Sequence, residues 1–238
     1  MRGSKPNVIS RYLPEDGGSG PAVHRAASLS EEVYDAIFAR LMALKIPPGA
    51  RITVDNLVRE LAVSQTPIRE ALGRLEGEGL VIKTHLVGYS AAPQITRARF
   101  EELYDLRLLL EPEMAGRAAA AMTDEALSAL TGAAGVNLRG AGADERARYP
   151  QFARQDAVFH DMILEVGGNE LVRETLAHQH THFHIFRLMF HALVTEEALD
   201  EHEALLAAFA ARDVEAARVA MRVHLERSRE RLSPAFDL

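Results

Sequence analysis

Residues 53–82, TVDNLVRELAVSQTPIREALGRLEGEGLVI, read as a short helix, a tight turn, a second helix and an extended run. Thr53 and Asp55 are N-cap candidates for the first helix, whose apolar positions Leu57, Val58 and Leu61 fall at helical spacing. Val63 packs the turn. Ser64 and Thr66 supply caps for the second helix, and Pro67 sits near its first position, where a fixed φ and a missing N–H cost nothing. Ile68, Leu72 and Leu75 form the buried side of that helix, while Gln65, Thr66, Arg69 and Arg74 lie opposite. Amide, hydroxyl and guanidinium groups at the front of a second helix suit a recognition helix: its first side chains reach base edges and flanking cations hold phosphates. Spacing alone leaves a second alternative open, since paired amphipathic helices also occur in many all-α cores.

The flanks favour DNA reading. Gly77 and Gly79 end the second helix, and Leu80, Val81 and Ile82 lead through Lys83, Thr84, His85 and Gly88 to another extended run, which makes a wing. Upstream, Ser30 can cap a helix with Val33, Ile37, Leu41 and Leu44 on one face, ended by Ile46-Pro47-Pro48-Gly49. The expected unit is a winged helix-turn-helix with a small two-stranded wing. DNA-contact candidates are Ser64, Gln65, Thr66, Arg69, Arg74, His85 and Gly88.

Residues 29–90 closely resemble the DNA-binding domain of GntR-type transcription regulators. Pro48-Gly49, Val63-Ser64, Thr66-Pro67, Arg69-Glu70-Ala71-Leu72 and Leu75 through Leu80 carry the resemblance. The departure is Gln65, where that family more often has arginine. It leaves one cation fewer at the DNA face.

Composition sets outer limits. The chain has 238 residues, enough for two modest cores, and 47% apolar content with 6% aromatics and no tryptophan fits Leu- and Ala-rich helices. The absence of cysteine excludes disulfides and thiolate metal sites and suits a reducing cytoplasm, the expected location. No apolar run approaches about 18 residues, so no membrane partner is expected. A net charge of -7 argues against a protein that coats nucleic acid non-specifically. It is compatible with a regulator, because acidic groups in a separate domain are screened beyond roughly 8 Å at physiological salt.

Residues 1–27, rich in Gly, Pro and Ser, read as a flexible leader; residues 28–92 form the winged domain and residues 93–238 a helical domain. In the last, helical periodicity predicts segments starting at Thr96 with Phe100, Leu103, Leu106, Leu110 and Met114, then near 123–139, 150–166, 170–193, 195–210 and 213–231. Breaks fall at Gly140–Gly142, Gly167-Gly168 and Arg212-Asp213. The expected fold is mainly α, with a C-terminal antiparallel bundle of six or seven helices.

Polar chemistry in the bundle concentrates around Asp156 and His160, four residues apart and therefore on one helix face. Such a pair alone is more often solvated or internally hydrogen-bonded than metal-binding. His202 and His224, each on a helix with an inward apolar stripe, add two imidazoles. One carboxylate and three imidazoles suit zinc, nickel, cobalt or manganese and not calcium. Five further histidines, at 178, 180, 182, 184 and 191, look like a metal tract. In a continuous helix they face different ways, which leaves a cavity-lining role for one or two.

Residues 95–232 also resemble the helical effector domain of the FadR subfamily of GntR regulators. The matching pieces are Leu106-Arg107 with Leu110-Glu111, Asp156, Phe159-His160, Gly168-Asn169, Glu201-His202 and His224-Leu225. The resemblance implies a divalent metal, zinc or nickel first, held by Asp156, His160, His202 and His224. It also implies a small carboxylate or hydroxy-acid effector. Arg107 can pair with such a ligand bidentately, the alternative being a salt bridge to Glu111; Asn169 can contact it or cap a helix. The expectation is a homodimeric, non-enzymatic transcription regulator, a repressor of a double-stranded imperfect-palindrome operator. A metal sensor is the alternative, followed by a metal-dependent hydrolase with Glu201 or Glu203 as base.

Overall fold

The computed structural model describes residues 21–135, 145–188 and 195–237, with side chains placed at all of these except 21–28, 145–149, 181 and 195. The chain divides into two compact units, one running to Ile95 and including Phe186 and Arg187, the other formed from Thr96–Ile185 and the C-terminal helices. Residues 1–20 of the expected leader lie outside the described residues, and its last seven belong to the first helix.

The smaller unit contains α1 (Pro21–Met42), β1 (Arg51–Ile52), α2 (Val54–Leu61), α3 (Gln65–Gly77), β2 (Val81–Thr84) and β3 (Gly88–Ala91). Val33, Tyr34, Ile37, Phe38 and Leu41 of α1 pack with Ile68, Leu72 and Leu75 of α3, all buried. Ser30, expected to cap α1, lies inside it, and its hydroxyl donates to Glu70 Oε2 at 2.7 Å. Thr53 and Ser64 stand at the N-cap positions of α2 and α3 without making side-chain cap bonds. The turn between these helices passes through Ala62 in the left-handed region at φ 55°.

The wing is larger than its sequence pattern predicted. Its two strands, β2 and β3, are joined by β1 in an antiparallel sheet of order β1-β3-β2, with Ile52 opposite Tyr89 and Val81 opposite Ala91. Two residues are too short to read as a strand from periodicity, so the third strand appears only on pairing. At the tip, Val87 N donates to Thr84 O, and Gly88 takes φ 107°, a conformation L residues rarely adopt. Arg187 also belongs to this unit: its guanidinium donates to Ala92 O at 2.9 Å, and Gln94 Nε2 donates to Arg187 O at 3.0 Å.

The larger unit is a helical bundle of α4 (Arg97–Ala121), α5 (Asp124–Ala133), α6 (Glu145–Val166), α7 (Glu170–Ala177), α8 (Thr181–Phe186), α9 (Thr195–Ala210) and α10 (Val214–Leu232), closed by a 3-10 turn at Ser233–Phe236. Thr96 caps α4 by accepting from Arg99 N, and Asp213 caps α10 by accepting from Glu215 N and Ala216 N. Ala115, Ala118 and Ala119 of α4 pack in one core with Phe159 and Ile163 of α6, Leu205 and Phe209 of α9, and Met221 and Leu225 of α10. Gly167 permits the close approach of α6 to α4, because a Cβ there would stand 2.8 Å from Met114 O.

The predicted helix over 170–193 is not continuous. It breaks between α7 and α8, with His180 at φ 48°, and residues 189–194 lie outside the described residues. A single left-handed residue is enough to end an α-helix, and polar residues such as His tolerate it better than β-branched ones. The segment expected at 123–139 ends as α5 at Ala133, and its residues from 136 onward likewise lie outside the described residues.

Candidate functional site

The candidate DNA face is water-exposed and locally bonded. Ser64, Gln65, Thr66 and Arg69 are all exposed at the start of α3. Gln65 Nε2 donates to Asp55 Oδ1 at 3.1 Å, and Gln65 Oε1 accepts from Arg69 Nη2 at 3.4 Å. Gln65 therefore joins α2 to α3 and steers Arg69. Arg74 is different. Its guanidinium donates to Glu31 at 2.7 Å and stacks 4.0 Å over the Tyr34 ring, tying the end of α3 to α1. Burial opposes its charge, but Glu31, Tyr34 and Glu78 together outweigh burial and raise its pKa. Arg74 is half-buried, so α1 engages the guanidinium expected at the DNA face. His85 and Gly88 are exposed on the wing beside Lys83 and Leu86, and Arg51 donates to Val87 O at the tip. Lys83, inside the predicted wing, and Arg51, before it, are further exposed cations on this surface that were not among the contact candidates.

In the bundle, the core-facing stripe of α4 runs Phe100, Leu103, Tyr104, Arg107, Glu111, Met114 and Ala115, so helical spacing carries a charged pair into the interior. Arg107 Nε donates to Glu111 Oε1 at 2.5 Å, with both side chains almost wholly buried. Glu111 Oε2 accepts from His160 Nδ1 at 2.6 Å. On α9 and α10 the pattern repeats: Glu201 accepts from His224 Nδ1 at 2.8 Å and from Arg231 Nη1 and Nη2 at 2.5 and 2.9 Å. His202 Nδ1 donates to Ala134 O at 2.9 Å.

These bonds assign the tautomers. With Nδ1–H committed on all three rings, the remaining nitrogen of each neutral imidazole is an acceptor, Nε2. His160 Nε2 and His224 Nε2 face each other at 3.1 Å, and His202 Nε2 stands 3.3 Å from Asp156 Oδ1. Ligand atoms of Asp156, His160, His202 and His224 all lie within 4.8 Å of one another, and all four residues are buried. Four lone pairs thus converge with no hydrogen between them. That is repulsive unless a cation stands among them; the 3.1 and 3.3 Å separations are close to the roughly 3.3 Å ligand–ligand edge of a tetrahedral site with Zn–N near 2.0 Å, while His160 Nε2 and Asp156 Oδ1 stand wider, at 4.0 Å. The donor set therefore fits a divalent metal of borderline softness.

Electrostatics hold the groups in the required states. Burial pushes the His160 pKa down to about 3, and burial likewise depresses that of His224. Burial works against ionised Asp156, but His182 and His202 outweigh it and keep the carboxyl well below its usual range. Glu111 is held down by Arg107 and His160 against the same penalty, and Glu201 by His224 and Arg231. Two neutral imidazoles, His160 and His224, and a permanent carboxylate result.

Two family models match this chain: "Bacterial regulatory proteins, gntR family" over residues 29–89 and "FCD domain" over residues 102–227. The chain is a GntR-family regulator with an FCD domain. An HTH-type transcriptional regulator from an unstable DNA locus of Streptomyces ambofaciens is 29% identical over 196 residues, covering 82% of this chain and 80% of the relative. The gluconate operon transcriptional repressor of Bacillus licheniformis is 30% identical over 141 residues, covering 58% and 55% respectively. Among solved structures, a putative GntR regulator from Rhodococcus sp. RHA1 shares the fold at TM-score 0.62 and 23% identity, covering 86% of this chain and 97% of that one. E. coli McbR/YncC does so at TM-score 0.60 and 20% identity, with 84% and 94% covered.

This GntR regulator is not an enzyme, and the hydrolase alternative fails on geometry as well. Glu201, offered as a general base, is consumed by His224 and Arg231, and Glu203 is exposed. Asn169 caps α7, its Oδ1 accepting from Val172 N at 3.3 Å. Arg107 forms the salt bridge to Glu111 that was its alternative reading, yet its Nη1 makes no hydrogen bond among the described residues. Glu111, Glu201 and Arg231 escaped the sequence reading as supports of the site. Only Glu111, four residues after Arg107, left a signal in spacing.

No helix among the described residues is long and apolar enough to cross a membrane.

Proposed function

We propose that this regulator is a homodimer that reads an imperfect palindrome with Gln65, Thr66 and Arg69 of α3 and the wing around Lys83, His85 and Gly88. Its DNA affinity is set by a small organic acid bound beside a divalent metal at Asp156, His160, His202 and His224. The observation that carries this reading is the convergence of four buried lone pairs whose rings are already oriented by Glu111, Glu201 and the Ala134 carbonyl.

Charge favours an anionic ligand there. Arg107 with Glu111 and Arg231 with Glu201 are internally neutral pairs. A divalent ion with Asp156 leaves one positive charge in a low-dielectric interior, where an uncompensated charge is costly. A carboxylate cancels it, and the spare Nη1–H of Arg107 gives that ligand a second contact. When bound, the metal supplies open coordination positions for the acid's oxygens. Release of the operator on ligand binding is the preferred sign, in keeping with the similarity to gluconate operon repressors.

The test is a three-step titration. Purified chain is analysed for bound zinc and nickel, a panel of small carboxylates is screened by thermal shift on metal-loaded protein, and hits are added to a complex with duplex selected from a random pool. A ligand favouring the folded state raises the apparent stability, and operator release should follow at the same concentration. DNA affinity that tracks free metal and ignores every acid would instead establish the metal-sensor alternative.

A further inference from the structure

Each candidate metal-facing side chain has its other polar atom held, and the holders differ in kind. His160, His202 and His224 are held by Glu111, the Ala134 carbonyl and Glu201, all buried. Asp156 is held by His182, from the histidine-rich stretch of α8: Nδ1 of His182 donates to Asp156 Oδ2 at 2.7 Å. The other carboxylate oxygen, Oδ1, is the one turned toward His202 Nε2 at 3.3 Å and His160 Nε2 at 4.0 Å. The His182 ring lies 4.7 Å from that of His160, and its side chain is 17% exposed against 6% for Asp156.

A carboxylate can bind a metal through one oxygen or both. Occupying Oδ2 with a hydrogen bond leaves Oδ1 as the available donor, fixes the rotation of the carboxylate plane, and keeps one coordination position from being taken by chelation. We propose that His182 is a positioning residue that makes Asp156 a one-oxygen ligand and thereby preserves a metal coordination position for the effector. This rests on the metal reading above. His182 is one of five histidines that sequence spacing could not tell apart, and the break at His180 gives α8 its own direction.

The test uses the full chain, with His182→Ala and His182→Asn. Zinc and cobalt(II) alone are titrated by calorimetry, the cobalt(II) form is followed by visible absorption, and metal-free melting is recorded. His182→Ala should bind both ions about 10–100-fold more weakly, with a cobalt(II) spectrum shifted by the altered carboxylate binding. His182→Asn, whose side-chain amide N–H can take the place of Nδ1–H, should recover most of the affinity and the spectrum. Affinity and spectrum unchanged in His182→Ala would overturn the proposal, even if metal-free melting drops. So would a failure of Asn to rescue with a spectrum showing a lost nitrogen ligand, which makes His182 itself a ligand. Wild-type chain that takes up neither ion would overturn the metal reading itself.

Discussion

The two polar regions of this regulator are built on opposite terms. At the start of α3, Gln65, Thr66 and Arg69 stand in water, and their bonds to Asp55 and to one another are local. In the bundle, Arg107, Glu111, Asp156, His160, Glu201, His202 and His224 are buried, each bonded to a residue on another helix or to its charge partner. The difference teaches where free energy resides. Exposed polar groups contribute little to folding and are free to serve a partner, whereas buried ones couple stability to function because any unmatched group carries a desolvation penalty.

The sharpest way to break this contrast is Glu111→Gln. It removes the anionic partner of buried Arg107 and leaves one acceptor oxygen where Arg107 and His160 now use two, so bundle stability should fall by about 3–5 kcal/mol in urea melts. A loss under about 1 kcal/mol would mean that the Arg107 guanidinium finds water and that the centre is not the closed polar core described here.

Acid should separate the two regions next. His160 has a folded pKa of about 3 against 6.5 in the unfolded chain, so between those values the unfolded state binds more protons and stability rises with pH. The contribution is complete above about 6.5 and is lost as pH falls. From pH 7 to pH 5, His160 alone removes roughly 2 kcal/mol from metal-free protein, and His224 adds in the same direction. The depressed carboxyls Glu111, Asp156 and Glu201 lose their share lower, as pH drops below their ordinary values. Hydrogen exchange resolved by residue should show α4, α6 and α10 opening first as pH falls, while α1 and α3, with no buried histidine among the described residues, hold.

Arg69→Ala should cost about 1–2 kcal/mol of operator affinity and reduce its salt dependence, with stability unchanged within about 0.5 kcal/mol. Retained affinity in an anisotropy titration would remove α3 from the DNA contact. Arg74→Ala should do the reverse on a smaller scale. Losing the Glu31 pair and the Tyr34 stacking lowers stability by up to about 1 kcal/mol, and operator affinity stays within about threefold. A large loss of affinity would return Arg74 to the reading face.

Legibility follows the same division. The helix-turn-helix could be read because its signals are local: Ile68, Leu72 and Leu75 at helical spacing, Pro67 near the helix start and glycines after its end. Spacing on one helix does not reveal that Glu31 and Tyr34, forty and more residues earlier, reach Arg74. In the bundle, the quartet was legible as residue types on amphipathic helices together with a family resemblance. Its supports were not: His182 pairs with Asp156 across 26 positions, Glu201 with His224 across 23 and His202 with Ala134 across 68. The break at His180 was equally hidden, because one residue at positive φ leaves no trace in periodicity.

Sequence by itself thus determined the helix-turn-helix, the two main wing strands and most bundle helices, which depend on spacing within one element or on short-range turn chemistry, and with the family resemblance it named four residues able to hold a metal. Tertiary structure alone decided which nitrogen of each histidine faces inward, which carboxylate pairs with which cation, and that Arg74 pairs with Glu31 of α1. Those choices are made by hydrogen bonds between groups far apart in the chain, and only burial makes such bonds strong enough to select one arrangement.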